Sequence, residues 1–154
     1  MIRVVLAALL LSALTVPGGA ALAAAKPNPV LRTAKDLVWT DNPAIPGARS
    51  AVLWGDPKTG AFGALRSLTA GTEIPLHSHR FEQKVVIVAG TVAVTVAGLD
   101  TQDLGPGSYA FIPRGVPHRA RCREGADCLY LEEEPGAFDF KLVDPKPASD
   151  PKPK

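Results

Sequence analysis

The feature that most constrains the fold is the regular occurrence of turn-forming residues, which divides the chain into short apolar runs. The 154 residues include 14 Gly and 15 Pro, and the runs between them have the length of strands. In one run, Val92, Val94 and Val96 alternate with small or polar residues, which is the period of a strand with one buried face. No run has the periodicity of an amphipathic helix. The sequence therefore predicts a single all-β domain, either a sandwich or a small barrel.

Ten strands are predicted from these runs and the turns that separate them. They cover residues 37–40, 48–54, 62–69, 83–89, 91–97, 101–104, 109–112, 118–122, 128–132 and 138–142. The domain is expected to span residues 48–143, after an extended, proline-containing lead at residues 26–47. Residues 144–154, rich in Pro and Lys, bury too little apolar surface to order themselves, and we expect a disordered tail there.

The first 25 residues have the pattern of a signal peptide for export. Arg3 gives a positive start, residues 4–16 are almost entirely apolar, and small residues permit cleavage after Ala23 or Ala25. The apolar stretch is shorter than the roughly 20 residues that span a bilayer, although an uncleaved anchor is the alternative. We therefore expect a secreted or periplasmic bacterial protein with no membrane attachment after cleavage.

The two cysteines, Cys122 and Cys128, are separated by a turn-like sequence of five residues. In an oxidising compartment they are expected to form a disulfide, and closing so short a loop contributes about 2 kcal/mol. Two free thiols are the alternative if the chain is not exported. A zinc site is not indicated, because the sequence has no second Cys or His pair at zinc-finger spacing.

The charge balance excludes partners that need a strongly basic surface. The formal net charge is +2, and it falls to +1 without residues 1–25, whose single charged side chain is Arg3. A nearly neutral domain lacks the electrostatic footprint of a nucleic-acid-binding protein, and no basic helix for a membrane surface is visible. A small-molecule ligand is the expected partner.

All three histidines lie in two glycine-framed segments with defined spacing. The first segment has the form G-x5-H-x-H-x3-Q-x6-G, and its fixed positions are Gly71, His77, His79, Gln83 and Gly90. The second has the form G-x5-P-x-G-x2-H-x3-C, and its fixed positions are Gly107, Pro113, Gly115, His118 and Cys122. In these segments the sequence resembles the cupin superfamily, whose two motifs match at four of five positions each. The resemblance implies a single-domain cupin, a small β-barrel or double-sheet jelly roll, and relatives often form homodimers.

The residue pattern agrees with the metal site that the resemblance implies. His77 and His79 share one face of an extended chain because side chains alternate with a period of two. His118 alternates with arginines that are far more costly to bury, so His118 is expected to point inward. Three neutral imidazoles form a common site for a divalent transition metal, here Fe, Mn, Ni or Zn. Three histidines of the core without a metal are the alternative.

Two positions depart from the cupin motifs. Gln83 stands where the first motif has glutamate, and Cys122 stands where the second has asparagine. Glu82 replaces the missing carboxylate only if a bulge or a shifted strand start turns it inward; otherwise Gln83 is the candidate fourth ligand. With neutral ligands alone, the ion keeps its full +2 charge, which favours an anionic or chelating molecule.

The cysteine pair also suggests a role for Glu132. If Cys122 and Cys128 face each other across a hairpin, His118 lies opposite Glu132, which would then orient the imidazole or act as a base. A surface glutamate in the run 132–134 is the alternative.

We therefore expect an exported metal-binding cupin that acts on a small anionic molecule, with dioxygenase or isomerase-type chemistry implied by the resemblance. The alternative is a non-catalytic module that binds a small ligand or a metal.

Overall fold

The computed structural model describes residues 28–144. The predicted signal peptide and almost all of the predicted tail lie outside the described residues. Contacts divide the chain into two units, residues 1–31 and 32–154. Residues 28–31 of the first unit have no regular secondary structure, and all features below belong to the second unit. No helix within residues 28–144 has the length and hydropathy to cross a membrane.

The described part of the second unit consists of eleven strands and one short 3₁₀ turn, Ala34–Asp36. The strands are β1 (Thr40–Asp41), β2 (Ala48–Gly55), β3 (Phe62–Leu68), β4 (Glu73–Ser78), β5 (Gln83–Ala89), β6 (Val92–Val96), β7 (Gln102–Leu104), β8 (Tyr109–Ile112), β9 (His118–Cys122), β10 (Cys128–Glu134) and β11 (Lys141–Leu142). They confirm the predicted all-β class.

The strands form two sheets in which every pair of neighbours is antiparallel. One sheet has six strands in the order β1-β2-β3-β10-β5-β8, and the other has five in the order β11-β4-β9-β6-β7. Alternation places one face of each sheet inside: along β10, Cys128, Tyr130, Glu132 and Glu134 are buried, and the residues between them are half-exposed. The double-sheet jelly roll expected from the sequence is therefore the observed architecture.

Two predicted strands are shorter in the structure, and one observed strand, β4, was not predicted. β4 contains Pro75, and the register shift between Ile74 and His77 accommodates the proline. Of the predicted strand at 37–40, only Thr40 is paired, and of that at 138–142 only Lys141 and Leu142 are. The residues before Lys141 leave the sheet because they pack over the histidines, as described below.

The disulfide joins the two sheets instead of closing a hairpin. The structure pairs Cys122, at the end of β9, with Cys128, at the start of β10. β9 lies between β4 and β6, and β10 lies between β3 and β5, so the hairpin register predicted from the cysteines is wrong. Both cysteines pack in an apolar cluster that we call the disulfide end. Its buried members are Leu68, Ile87, Val92, Cys122, Cys128 and Tyr130.

Candidate metal centre

The three histidines meet at the opposite end of the fold, which we call the histidine end (His77, His79 and His118). His77 lies in β4 directly across from His118, the first residue of β9, and His79 follows the end of β4. Each of the three has only 4% of its surface exposed. The structure thus brings together the residues that the motifs single out, with their side chains inside the fold.

The rings are close enough to share one ion. Ring centroids are separated by 4.2 Å between His77 and His118, 4.8 Å between His77 and His79, and 5.4 Å between His79 and His118. One nitrogen of each ring lies within 4.8 Å of a nitrogen of each of the other two. Such a group of imidazoles matches the donor set of a divalent transition metal.

Hydrogen bonds fix which nitrogen of each ring is free. Nδ1 of His77 lies 2.7 Å from the carbonyl oxygen of Pro75, and Nδ1 of His118 lies 3.0 Å from that of Val116. Nδ1 of His79 bonds to the carbonyl oxygen of Asp139. A carbonyl only accepts, so each Nδ1 carries the proton and each Nε2 keeps its lone pair. Nε2 of His79 is buried without a partner, which is the state of a metal ligand whose outer nitrogen is already held.

The surroundings keep the imidazoles neutral. Burial, together with the neighbouring His118 and His79, lowers the pKa of His77 to about 3. Burial also lowers the pKa values of His79 and His118. Metal binding requires the neutral ring, so the protein holds these three side chains in the form that binds at neutral pH.

Gln83 reaches the cavity beside the histidines, whereas Glu82 does not. Gln83 is 4% exposed and lines the cavity, and its Nε2 donates a 3.1 Å hydrogen bond to Oε1 of Glu134. Glu82 precedes β5 and is not among the residues that line the cavity. Of the two groups considered for the fourth ligand, the geometry therefore favours the amide of Gln83.

Glu134 is a buried acid that sequence reasoning missed. It is 2% exposed, its Oε1 lies 3.8 Å from Nδ1 of His79, and its Oε2 has no hydrogen-bond partner. Burial and the nearby Glu132 raise the pKa of Glu134 to about 8. The alternation of side chains along a strand could have revealed it. Residues 128, 130, 132 and 134 share one face of β10, and that face is buried at Cys128.

A cavity of about 450 Å³ lies between the sheets and is lined mostly by apolar side chains. Glu132 faces it and accepts hydrogen bonds from Nε of Arg66 at 3.0 Å and from Nη2 at 2.6 Å. Glu132 thus enters the same interior as His118, but from the other sheet and held by Arg66. Arg66 is a second residue that the sequence analysis missed, although it shares the parity of Phe62 on β3.

Two aromatic residues from the segment before β11 cover the histidine end. The ring of Phe140 stacks on His77 at 4.2 Å with an angle of 18° between the ring planes. The ring of Phe138 lies 5.5 Å from His79 and 4.7 Å from the guanidinium of Arg66. Six of the residues that line the cavity are exposed. These are Thr40, Asp41, Pro43, Arg49, Lys58 and Phe140.

Comparison with known proteins identifies the family. The model of the cupin domain (Cupin_2) matches residues 64–132, and the similar solved structures include several cupins. Residues 64–132 thus form a domain of the cupin superfamily. This confirms the resemblance that the two histidine segments indicated, and with it the fold.

Individual relatives are more distant. Dimethylsulfoniopropionate lyase DddQ from Ruegeria pomeroyi is 37% identical over 54 residues, which are 35% of this chain and 27% of the lyase. The match therefore spans about a quarter of that curated relative. The polyketide cyclase RemF from Streptomyces resistomycificus has a TM-score of 0.64 at 21% identity, covering 79% of this chain and 89% of RemF. KdgF from Halomonas has a TM-score of 0.57 at 20% identity, covering 67% of this chain and 92% of KdgF. At this identity the two structures show the fold alone.

Proposed function

We propose that this chain is an exported, metal-dependent cupin that acts on a small anionic molecule. His77, His79 and His118 hold one divalent transition metal ion (Fe, Mn, Ni or Zn), and the amide oxygen of Gln83 is the fourth protein ligand. The observation that carries the proposal is the set of three buried imidazoles whose Nδ1 atoms are taken by carbonyl oxygens. Among them, Nε2 of His79 has no partner inside the described protein.

The charge distribution favours an anionic ligand. The four proposed ligands are neutral, so the site keeps the +2 charge of the ion, and a bound ion polarises a carbonyl or carboxylate of the ligand as a Lewis acid. The buried charges of Arg66 and Glu132 cancel each other across their hydrogen bonds. The exposed residues that line the cavity include two basic side chains, Arg49 and Lys58, and one acidic side chain, Asp41, and this excess of positive charge favours the entry of an anion.

The cavity supports chemistry based on proton transfer. Its volume accommodates a small molecule, and its apolar walls exclude water from the reacting groups. Glu132 is a buried carboxylate in the lining of this space, and Arg66 fixes its position. We propose that Glu132 takes a proton from the bound ligand in an isomerase- or lyase-type reaction. The names of DddQ, a lyase, and RemF, a cyclase, belong to those proteins and support this class only by analogy.

A non-catalytic binding module is the second candidate, and the Arg66–Glu132 pair favours it. Two N–H donors of one guanidinium already occupy Oε1 of Glu132, so this oxygen is not free to accept a proton from a bound ligand. In this case the cavity and the ion bind an anion without transforming it.

The proposed export is supported by the disulfide. Cys122 and Cys128 are paired in the structure, and such bonds persist in oxidising compartments outside the cytoplasm. Mass spectrometry of the protein from the culture medium or periplasm, with and without reductant, tests both points. A chain that keeps residues 1–25 and two free thiols in the cell contradicts the export proposal.

The functional test compares the metal-loaded and the metal-stripped protein on a panel of hydroxy acids, keto acids and phenols. We expect turnover that requires the metal and consumes no oxygen, and a kcat at least about a hundredfold lower in Glu132→Gln. Glu133→Gln, one residue away and facing out, is the matched control and should keep its activity. Oxygen uptake would instead indicate a dioxygenase, and metal-dependent binding without turnover would indicate the binding module. A protein that binds no transition metal contradicts the whole proposal.

A further inference from the structure

Glu134 lies directly beside Gln83 across two paired strands. The register of β10 and β5 pairs Glu132 with Val85 and Glu133 with Lys84, and one step further it brings Glu134 next to Gln83. The 3.1 Å hydrogen bond from Nε2 of Gln83 to Oε1 of Glu134 closes this pair. The proposed function assigns Glu134 no role.

A buried carboxyl group at this place is costly for the fold. Its side chain is fully enclosed, its Oε2 has no partner, and no cation of the described protein forms an ion pair with it. Burial of an incompletely paired polar group destabilises a protein by about 1–3 kcal/mol. An apolar residue of similar size would pack here without that cost, so a purely structural role does not account for Glu134.

The hydrogen bond determines which end of the Gln83 amide faces the metal site. A carboxyl oxygen accepts the N–H of Gln83, so the nitrogen of the amide is directed at Glu134. Within the described residues the amide oxygen of Gln83 forms no hydrogen bond, and its side chain lines the cavity. The oxygen is therefore the atom that is available to an ion held at the histidine end.

We propose that Glu134 is the positioning residue of the metal centre, supplying from β10 the carboxyl group that the first motif has at the position of Gln83. It holds the amide of Gln83 by its nitrogen, so that the oxygen faces the ion, and it flanks His79 on the side of Nδ1. This inference rests on the proposed metal site and goes beyond it by assigning the acid that orients the fourth ligand.

A separate metal site at His79, Glu134 and Asp139 does not fit the same atoms, although the three lie close together. Nδ1 of His79 already bonds to the carbonyl oxygen of Asp139, and Oδ1 of Asp139 accepts the backbone N–H of Arg80 at 2.8 Å. Within this group, the carboxyl group of Glu134 is the one that is hydrogen-bonded to Gln83.

The test measures cobalt affinity by chelator competition and the cobalt absorption spectrum in four proteins. In Glu134→Gln, the new amide can either accept from or donate to the amide of Gln83. The oxygen of Gln83 is then no longer held toward the ion. We expect affinity about tenfold weaker and a changed spectrum, as for other residues that orient metal ligands. The exchange variant Gln83→Glu/Glu134→Gln keeps one acid and one amide and should recover the affinity. Glu82→Gln is the control and should match the wild type.

A second readout needs no metal. In the cobalt-free protein the side-chain NH₂ signal of Gln83, assigned by its loss in Gln83→Glu, should exchange slowly with solvent, and Glu134→Met should make it fast. The role of Glu134 is overturned if Glu134→Gln keeps the wild-type cobalt affinity and spectrum, or if the NH₂ signal of Gln83 exchanges fast in the wild type. Either result leaves the proposed metal site standing. A wild-type protein that binds no cobalt overturns the proposed function as well. If Glu134→Gln does not fold, the exchange variant decides, because loss of its cobalt affinity contradicts the inference.

Discussion

The two ends of β9 differ in almost every physical respect. At one end Cys122 is 0% exposed, is joined to the other sheet by a disulfide, and packs in an apolar cluster. At the other end His118 meets two further imidazoles, and carbonyl oxygens and aromatic rings hold the three in place. β10 shows the same change along its inner face, from Cys128 through Tyr130 to Glu132 and Glu134.

The difference indicates a division of roles along the same strands. Covalent bonding and apolar packing at the disulfide end stabilise the fold without any polar requirement. The histidine end contains buried polar groups that lower stability unless they bind something, and it is therefore where function is expected. Substitutions at the two ends should change different measured quantities.

The largest expected effect is on stability at the disulfide end. Replacing both Cys122 and Cys128 by Ala should lower the free energy of unfolding by about 2–4 kcal/mol, because the cross-link between the sheets is lost. Denaturant unfolding of the cobalt-free protein measures this. Cobalt affinity of the folded variant should stay within about threefold of the wild type, because additivity holds for distant sites. Equal losses of stability and affinity would show that the two ends are not independent.

The complementary change is at the histidine end. His118→Ala should weaken cobalt binding at least a hundredfold, roughly 2.7 kcal/mol, because one of three imidazole ligands is removed. Arg119→Ala, the next residue on β9 and exposed, is the matched control. Unfolding of the cobalt-free His118→Ala protein should change by less than about 1 kcal/mol, because the ring faces a cavity. Retention of wild-type cobalt affinity would remove His118 from the site.

A smaller effect depends on pH and again separates the two ends. The folded-state pKa of Glu134 is raised from 4.5 to about 8, so its protonated form stabilises the fold below pH 4.5 and that contribution is lost as pH rises through 8. The stability of Glu134→Gln relative to the wild type should therefore increase with pH in this window. The increase is at most about 1.4 kcal/mol per pH unit. Urea unfolding of the metal-free proteins at pH 5 and pH 8 measures it.

The disulfide end provides the control for this pH dependence. The Cys122→Ala/Cys128→Ala variant removes no group that titrates in the folded protein, so its loss of stability should be the same at pH 5 and pH 8. A constant difference between Glu134→Gln and the wild type would contradict the raised pKa of Glu134.

The smallest expected effect concerns the aromatic cover of the histidine end. Phe140 stacks on His77 but is 36% exposed, so Phe140→Ala should lower the free energy of unfolding by only about 1 kcal/mol. Equilibrium cobalt affinity should change little, whereas a chelator should remove cobalt faster because the ring no longer covers His77. Stopped-flow transfer of cobalt to the chelator tests this. An unchanged rate would show that Phe140 does not restrict access.

The sequence predicted local features of the histidine end because the family pattern depends on local geometry. Gly71 and Gly90 have positive φ values of 81° and 72°, which a side chain disfavours, so glycine at these turns is a readable signal. Alternation likewise predicted that His118 points inward between exposed arginines. These inferences need only the residues within one strand or turn.

Features that depend on pairing between distant strands were not predictable in the same way. The short spacing of Cys122 and Cys128 suggested a hairpin, but in the double sheet the chain crosses from one sheet to the other between them. The partnership of Gln83 with Glu134 depends on the β5–β10 register, which the sequence does not specify. The segment before β11 resembles a strand in composition, and only packing against His77 and Arg66 explains its irregular path.

X-ray absorption spectroscopy of the zinc- or cobalt-loaded protein examines the three-histidine metal site itself. We expect one ion per chain with nitrogen and oxygen neighbours at about 2.0–2.1 Å and the outer-shell scattering of three imidazoles. This scattering should drop to two imidazoles in His77→Ala. An ion with at most one imidazole neighbour, or a wild-type protein that retains no metal, would show that the three histidines do not form a metal site.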